Sequence, residues 1–182
     1  MTNKIVTYTG KVFDLLNPRP EMVCIEDIAH ALANICRYTG HTLQFYSVAQ
    51  HCVLMAQADL PGDPLVRLLH DSAEAYIGDM SRPWKQNLLV HSFGRPVKYH
   101  ENVILYTISQ ALRFRIYITP DIKEADNRMM ATEIRDLMCP NSEFDPIVKS
   151  YKPLPDVIKP WDAWTAEGKF LNMYHVLCEE KR

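Results

Sequence analysis

The sequence lacks the features of several large protein classes. Its net charge of -2 over 182 residues gives no broad cationic field, which argues against duplex nucleic acid as a partner. No apolar run approaches the roughly 20 residues that a membrane span requires, so we expect no membrane segment. The opening residues, Met1–Ile5, lack the longer apolar core of a secretory signal. We therefore expect a cytoplasmic protein.

Cysteine is present, but in no pattern that indicates a disulfide framework. The five cysteines are odd in number, scattered, and include no Cys-x-x-Cys pair. Such a pattern fits reduced thiols in a cytosol-like compartment. Three of them, Cys24, Cys36 and Cys52, lie among apolar neighbours, where a cysteine behaves as a small hydrophobe. We expect all five to be structural.

Helical periodicity is what the chain has in abundance. Apolar residues return at the i, i+3, i+4 and i+7 spacing of one helix face along most of its length. Helix starts are indicated by Ser47 with Gln50 as a capping box, by Asp63–Pro64, by Arg95–Pro96 and by Pro120–Asp121. The helix that opens at Asp63–Pro64 is predicted to continue through Tyr76 and to stop at Gly78.

The chain is predicted to form one domain over residues 1–182, because this length can enclose a single sizeable core and no repeat or low-complexity segment divides it. An N-terminal arm covers about residues 1–22, where a short strand and an ordered arm are both open. A proline-rich surface crossing over about residues 139–160 precedes a last amphipathic helix over roughly residues 161–180. With little strand signal, the fold class is all-α, a compact multi-helix domain.

A His-Asp pair inside an apolar, helix-forming run is the most informative feature. Burying His70 and Asp71 is costly unless something satisfies them, and a bound cation is one such partner. His51 lies on the preceding predicted helix, and a short connection over residues 57–63 could bring it close. Asp126 lies at the edge of a later apolar stripe. Converging nitrogen and oxygen donors are what a hydrolytic metal site requires.

Several segments together resemble the HD-domain phosphohydrolases. The matching segments are Ser47–His51, His70–Glu74, Gly78–Asp79 with Pro83 and Lys85, and Ala125–Asp126, together with Ile25–Leu32 and Cys36–His41. The resemblance is strongest toward the 5'-deoxynucleotidase-like branch and its phage-encoded relatives, some of which hydrolyse dATP. It extends from about Phe13 through the Asp126 helix and does not cover the C-terminal third.

The resemblance implies a metal centre and two catalytic carboxylates. The implied ligands of one divalent ion are His51, His70, Asp71 and Asp126. Glu74, one helical turn after His70, would orient or deprotonate the attacking water and later protonate the leaving oxygen. Asp79, which follows Gly78, would lie near the nucleophile or the sugar, and a cap of the next turn is equally open for it. Co, Zn, Mn, Ni, Fe and Mg are not distinguished by this donor set.

The resemblance also implies contacts with substrate. Arg37 and Lys85 would hold phosphate oxygens, with Tyr38 and His41 as further substrate contacts. Lys123 and Arg128 flank Asp126, and both solvated helix charges and phosphate contacts are open for them. The expected partner is a small deoxynucleotide. Because the family often assembles, a homo-oligomer is one of the expected states.

The activity that the resemblance implies is hydrolysis of deoxynucleoside 5'-phosphates by attack of water on phosphorus. Deoxyadenosine nucleotides such as dATP rank first among the bases, while mono-, di- and triphosphates are all open. One alternative is a non-catalytic HD-fold nucleotide sensor or binding module, which would release no phosphate. Another is an HD-type oxygenase with a two-iron centre, which would need further ligands from His30, His41, His91, His100 and His175.

Overall fold

The computed structural model of the chain describes residues 3–81, 84–85, 88–90, 94–143 and 145–181. Helices dominate these residues, and the strands found there form two short antiparallel pairs. This mostly helical architecture agrees with the predicted all-α class. In the described ranges, no helix is both long enough and apolar enough to cross a membrane.

The described elements follow one another in a simple order. The helices are α1 (Ile25–Asn34), α2 (Val48–Gln57), α3 (Pro64–Leu69), α4 (Glu74–Ile77), α5 (Val97–Ala111), α6 (Pro120–Leu137), α7 (Asp145–Ser150) and α8 (Ala163–Glu179). Strand β1 (Lys4–Val6) pairs with β2 (Val12–Asp14), and β3 (Leu89–Val90) pairs with β4 (Arg95–Pro96). Helix α8 packs against α1, α2 and α3 through one face, on which Ala166, Phe170 and Leu177 are buried.

The main core lies among the N-terminal hairpin, α1 to α3, α5 and α8. Its fully buried side chains include Phe13, Ile28, Leu32, Leu65, Leu68, Leu69, Ile104, Ile108 and Phe170. The ring of Phe13 stacks on that of Tyr76, with 3.7 Å between ring centroids. The hairpin therefore closes the core beside α4.

The N-terminal arm is a β-hairpin. Its turn brings Gly10 N to Thr7 O at 3.0 Å, with Gly10 at a φ of 83°, a left-handed conformation that favours glycine. The carboxylate of Asp27 on α1 accepts hydrogen bonds from Thr9 N at 2.7 Å and Thr9 Oγ1 at 3.0 Å. Of the two alternatives for this arm, the structure therefore has strands, and they are tied to α1.

Two of the predicted helix starts have the expected side-chain caps. Ser47 Oγ accepts from Gln50 N at 3.1 Å at the start of α2. Asp63 Oδ1 accepts from Leu65 N and Val66 N at the start of α3. These bonds satisfy backbone donors that a helix start leaves without a partner.

The second half of the predicted capping box is wrong. The side chain of Gln50 does not return to the helix start; its Nε2 donates to Lys159 O and its Oε1 accepts from Trp161 N, both at 2.8 Å. The buried amide thus ties the segment before α8 to α2. A tertiary contact of this kind satisfies both ends of the amide, which a local capping bond cannot do.

Of two further predictions, one is confirmed and one is wrong. The helix predicted to open at Arg95–Pro96 is α5, which begins at Val97 with Pro96 as its N-cap, and Arg95–Pro96 also form the short strand β4. The segment over residues 139–160 is not extended throughout, because it contains α7. Proline is compatible with a first helical turn, so proline content alone does not exclude a short helix.

The predicted helix from Asp63–Pro64 to Tyr76 is interrupted. Helix α3 ends at Leu69, and the chain reaches α4 through tight turns in which Ser72 N donates to Leu69 O at 3.1 Å and Glu74 N to Asp71 O at 2.9 Å. Ser72 Oγ also donates to Leu69 O at 2.7 Å. Bonds that span three residues wind the backbone more tightly than an α-helix. The His-Asp pair lies in this tightened segment.

Helix α6 docks against the end of α2 through a small second core. Met55, Leu60, Ala125 and Met129 are its buried residues. Because Ala125 and Met129 face this core, Asp126 lies at the border between the buried face of α6 and the neighbouring pocket.

Candidate metal centre

Four predicted ligands come together from three parts of the chain. His51 lies on α2, His70 and Asp71 follow α3, and Asp126 lies on α6. His51 Nε2 is 3.4 Å from His70 Nε2, 3.4 Å from Asp126 Oδ1 and 3.8 Å from Asp71 Oδ2. His70 Nε2 is 3.2 Å from Asp71 Oδ2 and 4.0 Å from Asp126 Oδ1.

Three of these five separations fall within the spacing of donor atoms around one cation, and the other two exceed it by less than half an ångström. Metal–nitrogen and metal–oxygen bonds of about 2.0 to 2.2 Å place neighbouring ligand atoms about 3 to 3.6 Å apart. The observed separations extend from 3.2 to 4.0 Å. His51, His70 and Asp126 therefore form a group that could hold a metal ion, with Asp71 beside them.

The hydrogen bonds of the two imidazoles support the same interpretation. His51 Nδ1 is 2.6 Å from Glu133 Oε1, and His70 Nδ1 is 2.8 Å from Arg67 O. A carboxylate and a carbonyl oxygen accept but do not donate, so each Nδ1 carries hydrogen. In the neutral rings both Nε2 lone pairs then point into one space, and a cation there would satisfy both.

His70 and Asp71 each favour the charged form of the other, in spite of their burial. Burial disfavours protonation of His70, but the adjacent carboxylate of Asp71 outweighs this and raises the pKa of His70 well above its ordinary value. Burial likewise disfavours ionisation of Asp71, yet His70, His51 and Arg37 together lower its pKa. Anionic oxygens and imidazoles thus stabilise one another in a buried cluster.

Cys52 belongs to a second, overlapping group with His70 and Asp71. Its side chain is fully buried, and burial raises the pKa of the thiol to about 11. A thiol binds metal ions as the thiolate. The neutral thiol that this pKa favours is consistent with the structural role expected for Cys52, and the oxygen and imidazole donors remain the better ligand set.

Glu74 lies at the start of α4, in the same pocket as His70, Asp71 and Asp126. Its Oε1 accepts from Lys85 Nζ at 3.1 Å, while its buried Oε2 has no hydrogen-bond partner among the described residues. Burial, with repulsion from Asp71 and Asp79, raises the pKa of Glu74 well above its ordinary value.

Asp79 also lines the pocket, immediately after Gly78, which ends α4 with a φ of 79°. Burial is the main cause that raises the pKa of Asp79. The structure therefore gathers both carboxylates for which the resemblance implies catalytic roles. Pro83, which precedes Lys85 in the matching segment, lies outside the described residues.

The predicted phosphate contacts are engaged with carboxylates. Arg37 reaches Asp71 Oδ2 at 3.4 Å and Glu133 Oε2 at 3.3 Å. Lys85 Nζ lies 3.1 Å from both Glu74 Oε1 and Glu101 Oε1. Both cations line the pocket, but each is already held in place by acidic partners.

Tyr38 and His41, the other predicted substrate contacts, differ in position. Tyr38 lines the pocket and donates its hydroxyl to Glu133 Oε2 at 2.7 Å. His41 is exposed and is not among the described residues that line the pocket. The chain between them turns away through Thr39 and Gly40, at φ values of 53° and 80°. The structure thus does not bring His41 to the site.

The pocket has a volume of about 740 Å³ and a chemically mixed lining. Its lining includes His70 and the acidic residues Asp71, Glu74, Asp79 and Asp126. It also includes apolar side chains: Met80, Pro96, Leu105, Ile118 and Met130. Lys98 and Lys123 also face the pocket, and Lys98 pairs with Glu101 Oε2 at 3.0 Å. The space is within the usual range of a small-molecule site.

Further histidines do not join this cluster in the part of the chain that is described. His30 pairs with Glu167 Oε2 at 2.9 Å, and neither it nor His41, His100 or His175 belongs to a candidate metal-binding group. His91 lies outside the described residues. The additional ligands that a two-iron centre would need are therefore not found among these four histidines.

Glu133 and Glu101 are the residues that sequence reasoning missed. Both are buried carboxylates, and Glu133 contacts His51 directly. Glu133 follows Asp126 by two turns of α6, so both lie on the same face of the helix. This spacing could have indicated that Glu133 lies near the candidate metal ligands. Glu101 gave no comparable signal, since its partner Lys85 lies on a separate segment.

Two bacterial proteins, both described as uncharacterized, are similar in sequence to this chain. No protein-family model matches the chain. The uncharacterized protein RCAP_rcc00048 of Rhodobacter capsulatus is 41% identical over 86 residues, covering 42% of this chain and 44% of that protein. The uncharacterized protein YfdR of Escherichia coli strain K12 is 33% identical over 180 residues, covering 98% of this chain and 97% of YfdR. The chain therefore belongs to the YfdR family.

Proposed function

We propose that the protein is a divalent-cation-dependent phosphohydrolase of the HD type that acts on deoxynucleoside 5'-phosphates. The observation that supports this most strongly is that carboxylate oxygens of Asp71 and Asp126 lie 3.2 to 4.0 Å from the Nε2 atoms of His51 and His70. The pocket beside them contains Glu74, a buried carboxyl group with one oxygen unengaged among the described residues. Metal-assisted hydrolysis uses this combination of a cation site and a proton-transfer group.

The cation would be held by the two imidazole Nε2 atoms and by the carboxylates of Asp71 and Asp126. When bound, a divalent ion supplies positive charge that acidifies water and polarises a phosphoryl oxygen. Glu133 and the carbonyl of Arg67 keep hydrogen on the Nδ1 atoms, so that the ring faces that point into the site can accept a cation.

Glu74 is the residue to which we assign proton transfer. Lys85 holds Oε1, which leaves Oε2 as the atom able to take a proton from the attacking water. Burial, with repulsion from Asp71 and Asp79, raises the pKa of this carboxyl group, which favours the protonated form once the proton has been transferred. It can then return the proton to the leaving oxygen of the nucleoside or of the remaining phosphate chain.

Cationic side chains would orient the phosphate and balance its charge. Arg37 and Lys85 are fixed by their acidic partners, and fixed charges need little reorganisation when substrate binds. Lys123 lines the pocket one turn before Asp126, and its side chain has no ion pair or hydrogen bond within the described ranges. We assign Lys123 to an oxygen of the phosphate chain.

The rest of the pocket suits the sugar and base. A volume of about 740 Å³ accommodates a nucleotide, and the wall of Leu105, Ile118 and Met130 is apolar. Tyr38 also lines the pocket and offers an aromatic ring to the sugar or base. The preference for deoxyadenosine nucleotides such as dATP comes from the resemblance to phage-encoded HD proteins, and it is the first base to test.

The test is a screen of the common dNMPs, dNDPs and dNTPs with Co²⁺, Mn²⁺, Zn²⁺ and Mg²⁺, with products resolved by chromatography. We expect cation-dependent release of phosphate or a phosphate chain, lost on addition of a chelator. The variant His70→Ala should abolish turnover, and the exposed His175→Ala is its matched control. Turnover that survives His70→Ala would refute the assignment.

A nucleotide sensor is the second candidate. It is favoured by one observation: Arg37 and Lys85 are both already paired with carboxylates, which leaves less free positive charge to stabilise the transition state of phosphoryl transfer. A sensor would bind a deoxynucleotide in the presence of the cation but release no phosphate. Equilibrium binding measured beside the chromatographic screen separates the two candidates.

A further inference from the structure

Glu133 links the candidate metal ligand His51 to Arg37 and Tyr38, two residues that line the pocket. The fully buried carboxylate lies on α6, with Oε1 2.6 Å from His51 Nδ1. Its other oxygen accepts from the Tyr38 hydroxyl at 2.7 Å and from an Arg37 amino group at 3.3 Å. All three neighbours donate, so the site is built for a group that only accepts.

We infer that Glu133 is a positioning residue, which sets the orientation of His51 and of the Arg37–Tyr38 turn with one carboxylate. Its bond to Nδ1 fixes the ring so that Nε2 points toward His70 and Asp126. The inference concerns cation binding in its own right, and its consequence for catalysis rests on the proposed function.

The turn that Glu133 holds has an unusual backbone. Tyr38 and Thr39 both have a φ of 53°, in the left-handed region, and Gly40 continues it at 80°. A β-branched residue such as Thr39 adopts this conformation rarely, so surrounding contacts must maintain it. The bonds from Arg37 and Tyr38 to Glu133 are two such contacts, and they keep all three residues of the turn, Arg37 to Thr39, along the pocket.

The chemistry predicts why glutamine cannot replace this residue. The amide of Glu133→Gln presents one acceptor oxygen and one NH₂ group to three donors. If the oxygen stays with His51, the NH₂ group faces the Arg37 guanidinium, donor against donor. His70 has no equivalent weakness, because a backbone carbonyl supports its Nδ1.

The experiment measures cation binding directly. Mn²⁺ affinity is determined by calorimetry for the wild type, Glu133→Gln and Glu124→Gln, an exposed glutamate on the same helix. We expect Glu133→Gln to bind Mn²⁺ about 10- to 100-fold more weakly and Glu124→Gln to match the wild type. Equal affinity in all three proteins would overturn the inference.

A spectroscopic readout separates positioning from a general structural effect. In ¹⁵N-histidine-labelled, Zn²⁺-loaded protein, the His51 Nδ1 proton should resonate far downfield because of its short bond to a carboxylate. Tyr38→Phe removes a competing donor from Glu133, so this resonance should move further downfield, whereas Glu133→Gln should move it upfield. The Tyr38→Phe variant leaves the buried carboxylate of Glu133 in place, so it tests the inference even if Glu133→Gln fails to fold. A resonance unmoved in Tyr38→Phe would contradict it.

The outcomes distinguish this inference from the proposed function. A wild type that binds Mn²⁺, responds to Glu133→Gln and hydrolyses no deoxynucleotide would overturn the proposed function and support the positioning role. Hydrolysis that continues with no change in affinity or resonance would overturn the positioning role alone. A wild type that takes up no cation overturns both.

Discussion

His51 on α2 and His70, just after the end of α3, direct their Nε2 atoms at each other from 3.4 Å. Each ring turns this way because its Nδ1 has an acceptor on the far side, Glu133 for one and the Arg67 carbonyl for the other. Two imidazole Nε2 atoms that share one space are a costly arrangement unless a proton or a metal cation lies between them and the neighbouring carboxylates. Asp71 and Asp126 supply the oxygen donors that a cation there would also need.

Loss of one carboxylate ligand should weaken cation binding more than loss of a supporting residue. Removal of a residue that only hydrogen-bonds a ligand typically lowers metal affinity by roughly 10- to 100-fold. We predict that Asp126→Asn lowers Mn²⁺ affinity by more than this. Calorimetry of Asp126→Asn is compared with Asp121→Asn, an exposed aspartate on the same helix that should bind normally. If the two variants behave alike, Asp126 is not a ligand.

Glu74 should affect turnover and not cation affinity. Glu74→Gln removes the proton acceptor but keeps the shape of the side chain, so we predict a fall in kcat of about 10²- to 10⁴-fold with Mn²⁺ affinity unchanged. Glu101→Gln loses the other carboxylate beside Lys85 and serves as the control, with a smaller effect on kcat. Steady-state kinetics would contradict the assignment if Glu74→Gln kept wild-type kcat.

Lys123 should matter for substrate binding in proportion to the charge of the phosphate chain. A hydrogen bond to a charged group contributes about 1.5 to 3 kcal/mol, so Lys123→Met should raise KM about tenfold or more while kcat changes little. The effect should be larger for a triphosphate than for a monophosphate. Lys149→Met, an exposed lysine on α7, is the control. An unchanged KM for every substrate would show that Lys123 is only a surface charge.

The tight approach of α6 to the turn before α3 gives a prediction about stability. Gly62 has a φ of 87°, and a Cβ added there would lie 2.7 Å from Ile122 Cδ1, whereas Gly10, at a φ of 83°, has open space. Both alanine variants carry the left-handed penalty of roughly 1 to 2 kcal/mol. Gly62→Ala must also displace Ile122 and should have the lower Tm by thermal denaturation. Equal Tm values would mean that Ile122 moves aside freely.

Some of the fold was predictable because local chemistry determines it. Ser47 and Asp63 cap their helices as expected, since a side chain two or three residues away from a free backbone donor needs no tertiary partner. The break between α3 and α4 was not predictable from periodicity, because tight turns keep the apolar residues of the segment close to helical spacing. Gln50 was assigned to a local bond but reaches Lys159 and Trp161, which are far away in sequence.

The same distinction applies to the candidate site. The four ligand candidates could be selected because donor types recur in a known pattern. The structure places three of them in one candidate metal-binding group, with the fourth, Asp71, 3.2 Å from His70 Nε2. The acidic partners of Arg37 and Lys85 could not be predicted from the sequence. Ion pairs such as Arg37–Glu133 and Lys85–Glu101 depend on how the elements pack against one another. His41 illustrates the opposite error: it follows Arg37 closely in sequence, yet the left-handed turn at Tyr38 and Thr39 leads it away from the pocket.

The most direct test of the account is anomalous diffraction from crystals soaked in Mn²⁺. We predict one strong anomalous peak per chain, bounded by His51 Nε2, His70 Nε2, Asp71 and Asp126 at about 2.0 to 2.3 Å. The absence of a peak among these four side chains in Mn²⁺-saturated crystals, or a peak only elsewhere on the protein, would contradict the central claim.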